Sequence, residues 1–290
     1  MNFSKHGQVE FVGLSRLSDS SILFNFQYYK GNRKFEFRFY FDKTSNKYIA
    51  GQYPKIHSNY VAKIMHEFQE KMSSTFIYET KDTIMYIKNH KFHNEGGPAY
   101  VTYHQDGTLC SAEYYINDIC HRVGGPAIVK YVNGNLIMQA YYLNGVLHNT
   151  DGPALIKNSS HNLPETIQYS VNGKHHREDG PALVHYTARF TNANGVVNQL
   201  RSECYYKHGI LHRVDGPAEI SYHYSGGGRE LESYYQEGKL HRVNGPAVIY
   251  YNRITKLAEK EMFHINGELI KINEYNAGIV HTKTYSKSNF

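Results

Sequence analysis

The chain has 290 residues, 40% of them hydrophobic and 20% charged, with a formal net charge of +6. That length allows about two domains, and that composition supports a packed core rather than disorder. No apolar run approaches the ~20 residues of a membrane helix, and MNFSKHGQVE lacks the apolar region of a secretory signal, so a cytoplasmic protein is expected. Three cysteines (Cys110, Cys120 and Cys204) without a CxxC argue against a disulfide framework and a zinc ribbon. The charge is +4 over residues 1–80 and +2 over the rest, with signs mixed. That is not the concentrated basic stripe a phosphate backbone demands, so nucleic acid is not an expected partner.

Residues 1–80 read as a small α+β head. Phe35, Phe37, Phe39 and Phe41 alternate with Glu36, Arg38 and Tyr40, an amphipathic strand. Ile22–Phe26 is its expected hairpin partner across Lys30-Gly31-Asn32. Val61, Ile64, Met65, Phe68 and Met72 follow helical spacing, with Ser58 or Asn59 as N-cap. The head is expected to cover the open edge of the strands beyond residue 80, because exposed edges invite aggregation.

Residues 81–270 are a repeat. Six of the eight prolines share one context: HNEGGPA (93–99), HRVGGPA (121–127), HNTDGPA (148–154), HREDGPA (176–182), HRVDGPA (212–218) and HRVNGPA (241–247). Pro98, Pro126, Pro153, Pro181, Pro217 and Pro246 are spaced 28, 27, 28, 36 and 29 residues apart. Periods of this size mark stacked arrays. After each Pro-Ala comes an alternating run. Val101, Val129, Ile156, Val184, Ile220 and Ile249 stand three after the proline, and Tyr or Asn five after it. One face of a period-2 strand is thereby apolar. A turn comes next, then a second strand ending in Tyr pairs such as Tyr114-Tyr115 and Tyr234-Tyr235. Asn144-Gly145 and Asn172-Gly173 then signal tight hairpin turns. One hairpin is marginal alone, so the units must stack. The expected fold is mainly β: an elongated array of antiparallel hairpin repeats with the α+β head. The 36-residue spacing places an insertion at 187–201, and residues 271–290 read as a cap strand with a polar tail.

The H-R-x-D-G-P-A unit with Tyr-Tyr and Asn-Gly resembles the MORN-variant repeats of phages, large DNA viruses and some bacteria. The resemblance covers about residues 84–270. It implies stacked β-hairpins used for protein contacts or assembly. The repeat here is longer than an ordinary MORN unit, so lipid binding does not carry over. With the Asn, Lys, Ile and Tyr bias, it implies a viral or phage accessory protein that inhibits or sequesters a host factor.

The His column (His93, His121, His148, His176, His212 and His241) could suggest a metal ladder. Equivalent side chains one two-strand unit apart are roughly 10 Å apart, however, too far to share an ion. The expected role is a ring nitrogen bonded to the following Gly-Pro loop. Asp151, Asp179 and Asp215 could suggest acid–base chemistry, but six similar loops single out no nucleophile, base and orienter. The Asp side chains fit turns that accept backbone N–H groups. No enzyme activity, cofactor or metal is expected. The residues assigned to partner binding are Arg122, Arg177, Arg213 and Arg242 with His121, His176, His212 and His241. The Arg column could grip an acidic or phosphorylated partner. The reading is a non-enzymatic scaffold binding a protein partner. Self-assembly into a structural component is one alternative. Another is a small-ligand binder or hydrolase in the head, with His57, His66 and His90 as candidates.

Overall fold

The structure is a computed structural model that describes residues 8–18, 21–30, 33–42, 47–50, 76–89, 91–159, 163–191, 195–224, 227–276 and 278–285. Every regular element among them is a strand. No helix among them is long and apolar enough to cross a membrane. The chain divides into two compact units, Met1–Lys91 and Phe92–Phe290.

The first unit holds an antiparallel meander of four strands: Gln8–Ser18, Ser21–Lys30, Arg33–Asp42 and Lys47–Ala50. The expected hairpin is present. Ile22 pairs with Phe41, Phe24 with Phe39 and Phe26 with Phe37, and the turn closes at Lys30 and Arg33. The helix expected over 61–72 lies outside the described residues, as do His57, His66 and His90. A separate hairpin joins Phe76–Glu79 to Thr83–Lys88.

The second unit is the hairpin array. Each repeat gives two strands to one antiparallel sheet. The six pairs are Tyr100–Tyr103 with Leu109–Glu113, Ile128–Val132 with Asn135–Ala140, Leu155–Asn158 with Pro164–Gln168, Leu183–Thr191 with Gly195–Cys204, Glu219–Tyr222 with Arg229–Ser233, and Val248–Tyr251 with Ala258–Ile265. The second strand of each pair also bonds the first strand of the next, as where Val129 faces Ala112 and Ile156 faces Gln139. Glu268–Asn276 and Ile279–Thr284 extend the sheet beyond the last repeat. The insertion lengthens one hairpin to strands of 9 and 10 residues rather than forming a separate loop.

Alternation alone did not reveal one regular feature. In every pair the register slips by one residue just before the position five after the proline, at Thr102/Tyr103, Lys130/Tyr131, Lys157/Asn158, His185/Tyr186, Ser221/Tyr222 and Tyr250/Tyr251. The extra residue lies in the second strand. Such bulges raise the local twist.

Between sheet and loop stands a second, shorter hairpin, a two-stranded ribbon. Five are present among the described residues, for example Tyr142–Leu143 with Val146–Leu147 and Tyr206–Lys207 with Ile210–Leu211. Their turns take left-handed backbone, with φ of 51° at Asn144 and 81° at Gly145. His208-Gly209 and Glu237-Gly238 adopt the same conformation without an Asn. In the last repeat the ribbon fuses with the sheet strands. No further loop interrupts the chain there, so Phe263–Ile265 run on to the turn at Asn266-Gly267.

The core is thin and made of small residues. Ala99, Ala127, Ala154, Ala182, Ala218 and Ala247, each just after the proline, are all 0% exposed. The last five are hydrogen-bonded on both sides of the backbone. Ala218 donates its N–H to the Ser233 carbonyl (2.8 Å), and its own carbonyl accepts the Tyr205 N–H (2.7 Å). A larger side chain would have to displace the atoms that cover the methyl. Val101, Ile220, Val248 and Ile249 complete the apolar layer, and Phe92 packs on Tyr100 and Tyr115 beside the first repeat.

Tyrosine hydroxyls close the layer against buried and half-buried carboxylates. Tyr222 donates to Glu203 (2.8 Å), Tyr251 to Glu232 (2.9 Å) and Tyr275 to Glu261 (2.7 Å). Glu232, only 2% exposed, also pairs with Arg229. Burial first, then the bond to the carboxylate, pushes the phenols of Tyr222 and Tyr251 up to about 12. A phenol ordinarily ionises near 10. A raised pKa means that the folded state holds the proton more tightly. The stabilisation from these two groups is therefore complete below about pH 10 and lost as pH rises through about 12. Alkaline titration at 295 nm should show late-ionising tyrosines. Glu203→Gln should bring Tyr222 forward toward 10; an unchanged curve would contradict the pairing.

Candidate interaction surface

The HxxxGPA loops are built by two devices, one inside each repeat and one between repeats. The first is a stack. Arg122, Arg177, Arg213 and Arg242 lay their guanidinium carbons 4.0, 4.1, 3.9 and 3.9 Å over the rings of Tyr114, Tyr169, Tyr205 and Tyr234. Each aromatic stands eight residues before its cation. The glycine before proline lies against the other face. A Cβ at Gly125, Gly180, Gly216 or Gly245 would meet the guanidinium carbon at 3.1, 3.0, 2.9 or 3.1 Å. Arg122, Arg213 and Arg242 also donate from Nη1 to the carbonyls of Pro126, Pro217 and Pro246.

Where Arg is missing, Asn does the same work at shorter reach. Asn94 and Asn149 donate from Nδ2 to the carbonyls of Pro98 and Pro153 (both 3.0 Å). Their side-chain carbonyls accept the N–H two residues on, from Gly96 and Asp151. In the cap, Lys271 covers the Phe263 ring at 3.8 Å, again eight residues on.

The second device is a rung across repeats. Each column histidine accepts, at Nδ1, a backbone N–H from the ribbon turn of the next repeat. Asn117 donates to His93 (3.3 Å), Asn144 to His121 (3.1 Å), Asn172 to His148 (3.1 Å), His208 to His176 (3.2 Å), Glu237 to His212 (3.2 Å) and Asn266 to His241 (3.0 Å). The expected structural role of these rings stands, but the partner differs. The rings reach the next repeat's turn, 23 to 32 residues onward, rather than their own Gly-Pro loop. An Nδ1 that accepts requires the ring proton on Nε2. A backbone rung runs parallel: the turn glycines 145, 173, 209, 238 and 267 donate to the carbonyls of Cys120, Leu147, His175, Leu211 and Leu240.

All eight residues expected at a partner contact therefore lie in these loops, with their side chains turned onto the scaffold. The acidic side chains face outward instead. Asp179 and Asp215 are bound by Nε of Arg177 (2.9 Å) and Arg213 (3.1 Å), which holds both carboxyls below the usual range. Asp179 and Asp215 thus accept from Arg and Asp151 from the Thr150 hydroxyl (3.2 Å), while Asn94 and Asn149 accept turn N–H groups. Cys204 is half-buried; burial, reinforced by Glu219 and Glu203, pushes its thiol up to about 11, away from nucleophilic use.

The loops offer apolar tips instead. Val123, Val214 and Val243, two after the histidine, are 77%, 78% and 72% exposed. A second exposed column runs along the ribbon turns: Ile119, Val146, Lys174, Ile210 and Lys239. Each lies against the turn glycine of the next ribbon: a Cβ on Gly145, Gly173 or Gly238 would meet Ile119, Val146 or Ile210 at 3.4, 3.5 or 3.0 Å. The H-R-V triplets that produce the tips are visible in the sequence. Shallow grooves run between successive loops, one lined by Arg177, Tyr205 and Val214, another by Arg122, Tyr141 and Ile156. No protein-family model, curated protein or solved structure matches the chain.

Proposed function

We propose that the protein is a non-enzymatic scaffold that binds a protein partner along the ribbon-and-loop side of its array. The observation that supports this most is the repeated exposure of aliphatic side chains at equivalent positions. Val214 and Val243 occupy successive loops, and Ile210 lies on the ribbon before Val214. Exposed apolar side chains that recur at equivalent positions give a repeating set of candidate contact points. The polar groups around them, Asp215 and the Arg213 guanidinium, supply a rim. Repeat arrays use such extended faces for macromolecules rather than small ligands. The resemblance to MORN-variant repeats supports the same reading and the role of a viral or phage accessory protein in host cytoplasm.

The test substitutes Ile210, Val214 and Val243 with Glu together. All three are exposed, so stability should change by no more than about 0.5 kcal/mol per site. A protein captured reproducibly from lysate by the wild type should be lost. Capture unchanged in the variant would remove this face as the contact. Light scattering on the same pair reads self-assembly: a wild-type oligomer that the variant dissolves would make the partner a second copy.

A further inference from the structure

The six repeat interfaces serve as controls for one another, and one departs from the rest. The first turn residue is Asn117, Asn144, Asn172, His208, Glu237 and Asn266 in order. The loop residue two after the column histidine is Glu95, Val123, Thr150, Glu178, Val214 and Val243. Only the fourth interface brings a second imidazole and a carboxylate to its column histidine. His176 and His208 stack at 4.2 Å with their rings 10° from parallel, and Nε2 of His176 lies 3.4 Å from Oε1 of Glu178. One ligand atom from each of the three lies within 4.8 Å of the others.

From this geometry we infer that His176, Glu178 and His208 form a binding site for a divalent transition-metal ion of the zinc class. Two imidazoles and a carboxylate are a borderline-soft donor set suited to zinc, with a fourth position for water. Bonds of about 2.1 Å place tetrahedral ligand atoms about 3.4 Å apart. The His176–Glu178 separation already fits, and a modest rotation of the exposed His208 ring brings in the third ligand.

The site has a defined effect on the array. His208 donates its backbone N–H to Nδ1 of His176, so the His176 proton sits on Nε2. A metal at Nε2 moves that proton to Nδ1, and the rung opens. The ion then replaces one hydrogen bond with a bridge between the same two repeats, since His176 and Glu178 lie in one loop and His208 in the next ribbon. This is the interface whose repeat carries the long hairpin at 183–204. Lys207 is the resident competitor: its ammonium lies 3.6 Å from Oε2 of Glu178.

The test titrates zinc chloride into the full-length chain purified without a metal-affinity tag, read by calorimetry and native mass spectrometry. One ion per chain is expected. His208→Asn installs the residue found at four equivalent turns, and Glu178→Val the one found at three equivalent loops, so both variants should fold. Each should weaken zinc at least about tenfold, the lower end of what even outer-shell losses cost. Lys207→Gln should tighten it. Zinc should raise the melting temperature of the wild type and not of His208→Asn. No zinc retained by the wild type, or His208→Asn and Glu178→Val binding it as tightly, would overturn the assignment.

Discussion

Replacing Ala218 with Leu is expected to destabilise the protein by about 1–3 kcal/mol, and more if the strands cannot part. The side chain is 0% exposed, and its own amide and carbonyl are both bonded to flanking chain at 2.8 and 2.7 Å. Three added carbons must fit where the methyl is already fully covered. Ala218→Gly should cost roughly 0.5–1 kcal/mol through backbone entropy, the smaller penalty. Urea unfolding measures both as midpoint shifts at unchanged slope. A Leu variant within about 0.5 kcal/mol of wild type would show that the site has room. The same change at Ala127 or Ala182 should behave alike, because both are 0% exposed and have the same two backbone bonds.

The second large effect is a coupling. Gly216→Ala should cost about 1–3 kcal/mol, because the new Cβ would lie 2.9 Å from the Arg213 guanidinium carbon. Either the guanidinium leaves the Tyr205 ring or the loop shifts. Gly152→Ala should be mild, since Asn149 leaves 3.7 Å to its nearest atom. Transplanting that arrangement is the decisive control. In Arg213→Asn with Gly216→Ala, much of the penalty should vanish, giving a coupling energy on the order of 1 kcal/mol. Strict additivity would mean that the glycine is needed for some other reason than space for Arg213.

These two effects separate what the sequence made legible from what it hid. The repeat, its hairpins and the strand after each proline are legible in spacing, alternation and Asn-Gly. So is the meander pairing of Phe37 with Phe26. The constant spacing of eight between each stacked aromatic and its Arg or Lys was also present, for example from Tyr205 to Arg213 and from Phe263 to Lys271. It remained unread because an Arg beside a loop more often marks a solvated edge. The bulges left no signal, since one extra residue in a second strand looks like ordinary variation in turn length. The rung from His176 to His208 spans 32 residues, so the insertion concealed its equivalence to the others. That is also why the His176–Glu178–His208 cluster was invisible: the column spacing relates only column histidines, and the partner comes from a turn.

Holding and binding fall to different residues. Arg and His columns hold the loops to their own tyrosines and to the next repeat, and the proposed function assigns partner contact to the Val and Ile tips. Thermal unfolding and partner capture, measured together on Arg177, Arg213 and Arg242 all changed to Ala, test that division. Each Arg lost removes a ring stack of about 0.5–1 kcal/mol and its charge-assisted bonds within the loop. The expected result is a clearly lowered melting temperature and capture that survives at temperatures where the variant is folded. An unchanged melting temperature with capture abolished would contradict the division, and would return the Arg column to the interface.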